Sequence, residues 1–467
     1  MLLNHVPFTE LERVRTLEGD RVAKAAVFAD ICRINLLYMI MRAGSGHVGT
    51  SLSCIDIISW LFLEEMDTQD RYFSSKGHDV PALYSVLIGM GMLDFDMLHK
   101  LRRIDGLPGH PDIGTPHMVT NTGSLGMGIS KAKGMVLANR LQNRTGRVFV
   151  LTGDGELQEG QFWESLISAV NLRMGEITVI VDHNKIQSDT WVSETSGLGD
   201  LESKFEAFGM RVHRCNGNDI GELSTELVKI YKADQPQVLI ADTLKGSGVS
   251  FMEHPAVMQA ENLYNYHSGA PTNSDYSEAV RELLGRLERR LADLNEKMVS
   301  VESVSVEEPP STPVVQRLIP AYSEELIEQA DTHDEIVALD GDLVLDTGLI
   351  PFRERFPERF FECGIAEQDM VSQAGGLALS GVLPVVHSFA CFLSDRPNEQ
   401  IYNNATEKTK IMYVGSLAGI IPGGPGHSHQ CVRDISALGG IPALTMIEPC
   451  NETETKMAVK YCVEETR

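Results

Sequence analysis

The sequence is short of positive charge. It has 40 lysine and arginine residues against 65 aspartate and glutamate residues, so its formal net charge is −25 at pH 7. A surface of that sign repels phosphate backbones and anionic lipid headgroups. Nucleic acids and membranes are therefore excluded as expected partners. An anionic small molecule can still bind where glycine loops, helix N-termini or a metal ion supply local positive potential.

The patterns of exported, membrane-spanning and zinc-binding proteins are also missing from the sequence. Its N-terminal segment meets charged side chains too early for the apolar core of a signal peptide. No uninterrupted apolar run reaches membrane-spanning length. Its eight cysteines are scattered, without a C-x-x-C pair or zinc-like spacing. We therefore expect a cytoplasmic protein with reduced thiols.

What is present is a repeated alternation of helix and strand patterns. A helical pattern over about 20–41 leads into the glycine-rich break AGSGHVGTS and a second helical run, CIDIISWLFLEE. Two β-branched strands, RVFVLTGDG and EITVIVDHN, then flank a helical pattern, and a third strand, QVLIADTLKGSG, follows. Such β-α-β units favour a parallel sheet that binds ligands at the carboxyl ends of its strands.

The length of 467 residues exceeds one ordinary core, so more than one domain is expected. An acidic stretch with Ser and Pro predicts the boundary, with a first domain over 1–298, a linker over 299–315 and a second domain over 316–467. In the second domain the strand-like segments are EIVALDGDL, GVLPVVHSF, KIMYVGSLAG and IPALTMIEP. The predicted fold class is α/β, with two successive parallel-sheet domains.

The strongest chemical signal lies at two neighbouring strand ends. Gly153, Asp154 and Gly155 end one strand, and Asn184 follows the next. Mg²⁺ prefers oxygen ligands and usually shares a diphosphate with one or two protein carboxylates. We predict as ligands the Asp154 carboxylate, the Asn184 amide oxygen and the backbone carbonyl of Ile186, with glycines that let the backbone approach the diphosphate. A lone Asp-Gly is as often an ordinary turn, but the pairing of two strand ends favours a metal–diphosphate site.

These two motifs resemble the thiamine diphosphate signature of the transketolase family. Further segments that resemble the family are AGSGHVGTSLSCIDI, SSKGHDVPALYSVLIGMG, GLPGHPDIGTPHMVTNTGSLGMGIS, LKGSGVSFMEHP, YHSGAP, FFECGIAEQDMV, HSFACFL and GHSHQ. The resemblance spans about 20–467 and implies a diphosphate-binding domain followed by a pyrimidine-binding domain. It also implies thiamine diphosphate with Mg²⁺, or Ca²⁺ or Mn²⁺ in its place, and transfer of a two-carbon ketol unit from a ketose donor to an aldehyde acceptor in carbohydrate metabolism.

By the same resemblance, Glu367 bonds the aminopyrimidine ring of the cofactor and is the first residue to test. Four histidines are implied as catalytic groups along the substrate channel, His47, His110, His267 and His429, and cleavage beside a carbonyl does require proton transfers near neutral pH. A single histidine beside a glycine is more often structural. The residues implied to contact the cofactor are His78, Gly123, Leu125, Gly153, Asp154, Gly155, Glu159, Asn184, Asp342, Phe389 and Phe392.

The resemblance implies a homodimer, because the diphosphate binds the first domain of one protomer while the pyrimidine binds the second domain of the other. The chain departs from the family at Pro425, where an aspartate that reads a sugar hydroxyl is usual. It departs again at Asp346, where a serine is usual and an acid would repel phosphate. It also stops at CVEETR, before the last strand of the second domain and the C-terminal domain that the family has. We therefore expect altered acceptor selection.

Two hypotheses remain open from the sequence. The first is a thiamine-dependent ketol transferase in a specialised pathway. The second is an incomplete subunit of a two-component complex, in which a second polypeptide supplies the C-terminal domain. The deoxyxylulose-phosphate synthase type also uses this cofactor, but the segments SSKGHDVPALYS and GDGELQEG resemble the transketolase form of these motifs.

Overall fold

The computed structural model describes residues 1–230, 234–260, 263–306, 317–420 and 423–464. The chain divides into two compact units. The first consists of Met1–Ser193 and Leu198–Glu308, and the second of Pro309–Arg467 with the short segment Glu194–Gly197. In the described part of the chain, no helix is both long and apolar enough to cross a membrane.

Up to residue 306 the chain alternates helices with mostly short strands. The helices are α1 (Phe8–Arg15), α2 (Arg21–Ala43), α3 (Val48–Trp60), α4 (Val80–Gly89), α5 (Gly128–Leu141), α6 (Gly160–Asn171), α7 (Val192–Thr195), α8 (Leu201–Ala207), α9 (Ile220–Ile230), α10 (His254–Ala260) and α11 (Asn273–Asp293). The strands are β1 (Leu2–His5), β2 (Arg71–Ser74), β3 (Val148–Gly153), β4 (Ile177–His183), β5 (Ile186–Gln187), β6 (Thr190–Trp191), β7 (Arg211–Asn216), β8 (Gln237–Asp242) and β9 (Glu302–Ser305).

Helix α2 is the central helix of the first unit and confirms the helical pattern predicted over 20–41. The Asp20 side chain caps its start by accepting the N–H groups of Val22 and Ala23. Gly44 ends it with a φ of 75°, a conformation that glycine adopts without steric cost. Most of its residues are buried on every side, as expected of a helix enclosed by a core. Its end sets the position of His47, the residue that precedes α3.

The main sheet of the first unit has the strand order β2-β3-β4-β8-β7, and all of its pairs are parallel. Alternate residues of β3 enter two different cores, Phe149 and Leu151 on one face and Val148 and Val150 on the other. A sheet buried on both faces explains why its strands are apolar at almost every position. The predicted parallel sheet is confirmed, and the carboxyl ends of β3, β4 and β8 lie side by side.

The segment predicted as a linker is partly structured. Strand β9 pairs antiparallel with β1, with Leu2 opposite Ser305 and His5 opposite Glu302. Residues 302–305 therefore belong to the fold of the first unit, because pairing with the N-terminal strand satisfies their backbone groups. The rest of the expected linker, 307–315, lies outside the described residues. Strands β5 and β6 form a separate small hairpin.

The second unit contains one further parallel sheet, in the order β11-β10-β12-β13. Alternate residues again enter two cores. Its strands are β10 (Ile336–Asp340), β11 (Phe360–Glu362), β12 (Leu383–Phe389) and β13 (Met412–Ser416), and its helices are α12 (Leu318–Ala330), α13 (Ile350–Arg355), α14 (Glu367–Leu379), α15 (Ala390–Asp395), α16 (Asn398–Thr406), α17 (Asp434–Leu438) and α18 (Glu452–Glu464).

One strand-like segment of the second unit is not a strand. Three of the four predicted segments contain β10, β12 and β13, but IPALTMIEP, residues 441–449, pairs with no strand. Ala443 has a φ of 59°, which is incompatible with extended backbone. Met446 and Ile447 are exposed rather than buried in a sheet. The apolar composition of this segment was misleading, because composition does not report backbone conformation.

Candidate active site

The predicted metal ligands of the first unit lie close together. Asp154 directly follows β3, and its carboxylate accepts the N–H groups of Gly155 at 2.8 Å and Lys185 at 2.5 Å. Lys185 has a φ of 72°, a conformation uncommon for a residue with a side chain. Asn184 precedes it, directly after β4, and is buried. The side-chain oxygens of Asp154 and Asn184 are thus brought to one edge of the sheet.

The third predicted ligand, the Ile186 carbonyl, already accepts a hydrogen bond from Lys245 Nζ at 3.1 Å. The same ammonium group donates to the Ser188 carbonyl at 3.0 Å and lies 3.1 Å from His267 Nδ1. Lys245 is fully buried and was not singled out from the sequence. Its signal was its place directly after the third strand end, in LKGSG. A buried cation at this edge supplies positive potential that the acidic chain as a whole lacks.

The donor set fits a hard cation. One carboxylate, one amide oxygen and a backbone carbonyl are the ligand types that Mg²⁺, Ca²⁺ and Mn²⁺ accept. Among the described residues no group of three or more His, Cys, Asp or Glu is placed to hold a metal. A zinc-type site is therefore not formed there, whereas a cation shared with a diphosphate needs few protein ligands.

Four of the predicted histidines form one cluster in the first unit. The His47 ring lies 5.2 Å from His78, 5.9 Å from His110 and 5.4 Å from His267, measured between ring centroids. Burial lowers the pKa of His47 well below its usual value, and the neighbouring His78, His267 and His110 lower it further. Burial followed by the charge of Lys245 does the same to the pKa of His267. These two rings are neutral near pH 7.

A buried ion pair lies beside the predicted metal ligands. Lys76 Nζ donates to Asp182 Oδ2 at 2.5 Å and to the Thr50 hydroxyl at 2.9 Å. Burial opposes ionisation of Asp182, but the charge and hydrogen bond of Lys76, together with the hydroxyls of Ser53 and Thr243, hold its pKa below the usual value. Asn184 donates to the same carboxylate at 3.4 Å. This pair fixes the strand end from which Asn184 extends.

Two glycine loops meet at close range near the histidines. Gly77 has a φ of 73° and Gly123 a φ of 118°. A Cβ added to Gly77 would lie 2.6 Å from the backbone nitrogen of Gly123, so only glycine permits this approach. Leu125 follows in the same loop and is half-buried. The loop that the sequence analysis assigned to the cofactor therefore packs backbone against backbone.

Glu156 ties this loop to the end of β3. Its carboxylate accepts the Gly126 N–H at 2.8 Å and the Thr152 hydroxyl at 2.7 Å, as well as the Ser75 hydroxyl. Burial raises its pKa, and these donors oppose the rise. Glu159, predicted to contact the cofactor or link paired sites, lies next to Gly126 and is half-buried. Glu156 belongs to the motif GDGELQEG, but the sequence alone assigned it no role.

In the second unit, Glu367 is the first residue of α14 and only 2% exposed. Its Oε1 accepts a hydrogen bond from Arg396 Nη1 at 2.7 Å. Its Oε2 is buried and has no hydrogen-bond partner among the described residues. Buried polar atoms are nearly always bonded in folded proteins. The free oxygen therefore marks a place where a donor from a bound molecule fits, as the aminopyrimidine of thiamine diphosphate would.

Three rings gather beside this carboxylate through Arg396. The Arg396 guanidinium lies 4.3 Å from the centroid of the Phe392 ring. Phe392 lies 5.8 Å from Phe389 and 5.3 Å from His429, between ring centroids. The His429 loop is closed at its base by paired backbone hydrogen bonds between Gly419 and Cys431. Pro425 belongs to this loop, of which residues 421–422 lie outside the described part of the chain.

A group of carboxylates surrounds the carboxyl end of β10. Asp342 has a φ of 64° and donates its N–H to Glu362 Oε1 at 3.0 Å. Burial, with a smaller contribution from negative neighbours, raises the pKa of Asp340 to about 7 and that of Glu362 to about 8. Burial also raises the pKa of Asp346. These acids therefore hold their protons to higher pH than ordinary carboxyl groups do.

Comparison with known proteins identifies the families that the two units of the chain resemble. A family model described as transketolase, thiamine diphosphate binding domain, matches residues 24–296, and one described as transketolase, pyrimidine binding domain, matches residues 317–467. Transketolase-like protein 2 of Mus musculus is 30% identical over 477 residues, which cover 96% of this chain and 74% of that protein. A protein of Phocaeicola vulgatus, named as one of the subunits of an apulose-4-phosphate transketolase, is 32% identical over 276 residues, covering 57% of this chain and 95% of that protein.

A solved structure, the transketolase from Campylobacter jejuni, is similar over 96% of this chain and 77% of its own, with 22% identity and a TM-score of 0.50. At that identity the likeness shows the fold. The expected order of a diphosphate-binding and a pyrimidine-binding domain, each built on a parallel sheet, is confirmed. The chain thus belongs to the transketolase family of thiamine diphosphate-binding transferases.

Proposed function

We propose that this protein transfers a two-carbon ketol unit from a ketose donor to an aldehyde acceptor, using thiamine diphosphate and Mg²⁺. The observation that carries the proposal is Glu367, a buried carboxylate with one oxygen bonded and the other free. It lies in the pyrimidine-binding domain and is linked through Arg396 to an aromatic pair. An unbonded buried acceptor costs free energy, which a ligand that donates a hydrogen bond to it recovers.

Each group has a distinct task in this proposal. Asp154 and Asn184 would hold the cation, and Glu367 Oε2 would hold the pyrimidine ring. When bound, thiamine diphosphate supplies the nucleophilic carbon and the electron sink that C–C cleavage needs. His47 and His267, kept neutral by burial, would accept and return the protons of sugar hydroxyls.

The acceptor is proposed to differ from a phosphorylated aldose. Asp346 places an acidic side chain at the end of the second sheet, and its ionised form would repel a phosphate brought there. Pro425 offers no side-chain hydrogen bond to a sugar hydroxyl. We further propose a homodimer, with the diphosphate and pyrimidine sites completed across protomers, and a cytoplasmic location, in keeping with scattered cysteines that have no C-x-x-C pair or zinc-like spacing.

Calorimetric titration with thiamine diphosphate, with and without Mg²⁺, tests the cofactor. We expect tight binding only with the cation, and loss of that dependence in Asp154→Ala. Turnover is then assayed with several ketose donors and with phosphorylated and non-phosphorylated aldehydes. Glu367→Ala is expected to lower kcat by about 100-fold or more, since it removes a group that acts on the cofactor. Full activity in Glu367→Ala would overturn the proposed mechanism.

A second candidate keeps the same chemistry but needs another chain. It is favoured by the similarity to the Phocaeicola vulgatus protein, whose name describes it as one component of an apulose-4-phosphate transketolase. In this interpretation a separate polypeptide completes the active enzyme. Donor-dependent turnover by the isolated chain would reject it, whereas turnover that appears only with a co-purified second polypeptide would favour it.

A further inference from the structure

We propose that Arg396 is a positioning residue that presents Glu367 and Phe392 to the pyrimidine of the cofactor. This inference rests on the proposed function, because it concerns how the pyrimidine-binding unit prepares its site. Arg396 lies outside the sequence motifs that resemble the family. Its side chain nevertheless touches two residues, Glu367 and Phe392, that the resemblance implies contact the cofactor.

The contact with Glu367 decides which carboxylate oxygen is available. Arg396 Nη1 donates to Oε1 at 2.7 Å, within the range of a charge-assisted hydrogen bond. Holding one oxygen stops the carboxylate from turning and directs Oε2 to the opposite side, where it is buried without a partner among the described residues. A ligand that donates one hydrogen bond there completes the group. Arg396 thus leaves a single available acceptor of fixed direction.

The contact with Phe392 holds the ring. The guanidinium lies 4.3 Å from the ring centroid, close enough for a cation–π contact. The other aromatic neighbours of the ring are Phe389 at 5.8 Å and His429 at 5.3 Å. A planar guanidinium can stack on a ring and donate a hydrogen bond at its edge at the same time, which an ammonium group cannot do. One side chain therefore couples the acceptor to the aromatic surface.

Local structure accounts for this double contact. Arg396 directly follows α15, and its backbone N–H donates to the Phe392 carbonyl at 2.9 Å. Residues four apart lie on the same side of a helical turn, so Phe392 and Arg396 are neighbours before any tertiary contact is made. The Arg396 side chain is mostly buried. The bond to Glu367, 29 residues away in sequence, then joins α15 to the start of α14.

Three variants of the full-length protein test the inference. Arg396→Met keeps apolar cover over Phe392 but removes the donor and the charge, and Arg396→Lys keeps the charge without the planar face. Arg433→Met is the matched control, since Arg433 pairs with Asp395, the neighbour of Arg396, and is 73% exposed. The readouts are thiamine diphosphate affinity by calorimetry at saturating Mg²⁺, the near-ultraviolet circular dichroism of the bound cofactor against pH, and thermal unfolding.

For Arg396→Met we expect affinity to fall by about 10- to 100-fold, the range for a hydrogen bond to a charged group. The pH at which the cofactor band changes should move upwards, because a buried carboxyl without a cationic partner resists ionisation. Arg396→Lys should restore the pH profile but only part of the affinity. Arg433→Met should match the wild type. If Arg396→Met does not fold, Arg396→Lys decides, since wild-type affinity in that variant would show that the planar contacts are not needed.

Dependence on Glu367 is tested in a Glu367→Gln background, where adding Arg396→Met should cost less than about threefold further affinity. A full additional loss there, or wild-type affinity and pH profile in Arg396→Met, would overturn the inference. Failure of the wild-type protein to bind thiamine diphosphate at all is a different result. It would reject the proposed function itself. If the wild type binds thiamine diphosphate and the Arg396 variants bind it equally well, only the role of Arg396 is rejected.

Discussion

Two buried aspartates, Asp182 in the first unit and Asp340 in the second, lie at the carboxyl ends of central strands in two parallel sheets, yet in opposite electrostatic surroundings. Asp182 is bonded to the ammonium group of Lys76, and its pKa lies below the usual range. The side chain of Asp340 accepts the backbone N–H of Leu343 and the Thr347 hydroxyl, both neutral donors, and its pKa rises to about 7. Equal burial therefore gives an ionised group in one unit and a protonated one in the other below neutral pH.

The difference follows from the side chains that surround each acid. In the first unit, Lys76 bonds Asp182, and Lys245 lies at the same edge of the sheet. In the second unit, carboxylates stand beside carboxylates at the end of β10, while Glu367 is an acid with an arginine partner, Arg396. Position in a fold therefore does not set the charge state of a carboxyl group. The nearest charged side chains do.

Breaking the ion pair between Lys76 and Asp182 in the first unit should have the largest effect on the free energy of unfolding. Lys76→Met leaves Asp182 buried without its cation, which costs about 3–5 kcal/mol of the free energy of unfolding. Urea unfolding at pH 7 measures the loss. Lys456→Met, which removes a partly exposed pair with Glu324, is the control and should change stability by less than about 1 kcal/mol. A similar small change for both variants would contradict the contrast between the two aspartates.

Replacing Asp340, the protonated acid of the second unit, should change the free energy of unfolding in the opposite direction. Between about pH 4 and pH 7 the folded protein keeps a proton on Asp340 that the unfolded chain has released, so the free energy of unfolding falls as the pH rises. Asp340→Asn removes this loss and should stabilise the protein at pH 8 by on the order of 2–4 kcal/mol, with little change at pH 4. Urea unfolding at the two pH values measures it.

Because Glu362 has a pKa of about 8, some pH dependence should persist in the Asp340→Asn variant and disappear only when Glu362→Gln is added. Asp182 should show the reverse dependence, since its contribution is present above the unfolded pKa and is lost as the pH falls through the lower folded value. A wild-type protein whose stability did not fall between pH 5 and pH 8 would refute the assignment of protonated acids to the second unit.

Deleting one hydroxyl group beside each aspartate tests the difference between Asp182 and Asp340 with smaller expected changes in stability. The Ser53 hydroxyl donates to Asp182 at 2.6 Å, and the Thr347 hydroxyl donates to Asp340 at 3.1 Å. At pH 6 the first acceptor is charged and the second is mostly neutral. Ser53→Ala should therefore cost about 1.5–3 kcal/mol and Thr347→Val about 0.5–1.5 kcal/mol. Equal costs in chemical denaturation would mean that the two carboxyls share one charge state.

The smallest expected effect is an absence of titration. Burial keeps the pKa of His47 and His267 low, so their ring resonances in nuclear magnetic resonance spectra should not move between about pH 6 and pH 8, across the usual histidine range. As the pH falls below that range, the unfolded chain takes up protons that these folded rings do not, and the protein loses stability. The variants His47→Gln and His267→Gln would assign the two signals. A signal that titrates in the usual histidine range would contradict the lowered pKa of that ring.

Much of the architecture was predictable because it depends on local pattern. The 20–41 helix, the three neighbouring strand ends and the meeting of Asp154 with Asn184 follow from helical periodicity, β-branched runs and the geometry of parallel strands. The errors have a local cause as well. Residues 441–449 are mostly apolar, but the positive φ of Ala443 prevents a strand there. Residues 302–305 pair with β1, a strand that is distant in sequence, at the N-terminus.

By itself the sequence determined two parallel α/β units, the strand ends that carry polar residues, and a family with a thiamine diphosphate site. The tertiary structure alone decided which titratable side chains meet. Lys76 bonds Asp182 across 106 residues, Lys245 meets His267 across 22, and Arg396 bonds Glu367 across 29. Periodicity carries no information about such pairs, because they form only when separate elements pack, and burial then makes each of them decisive for the charge of its partner.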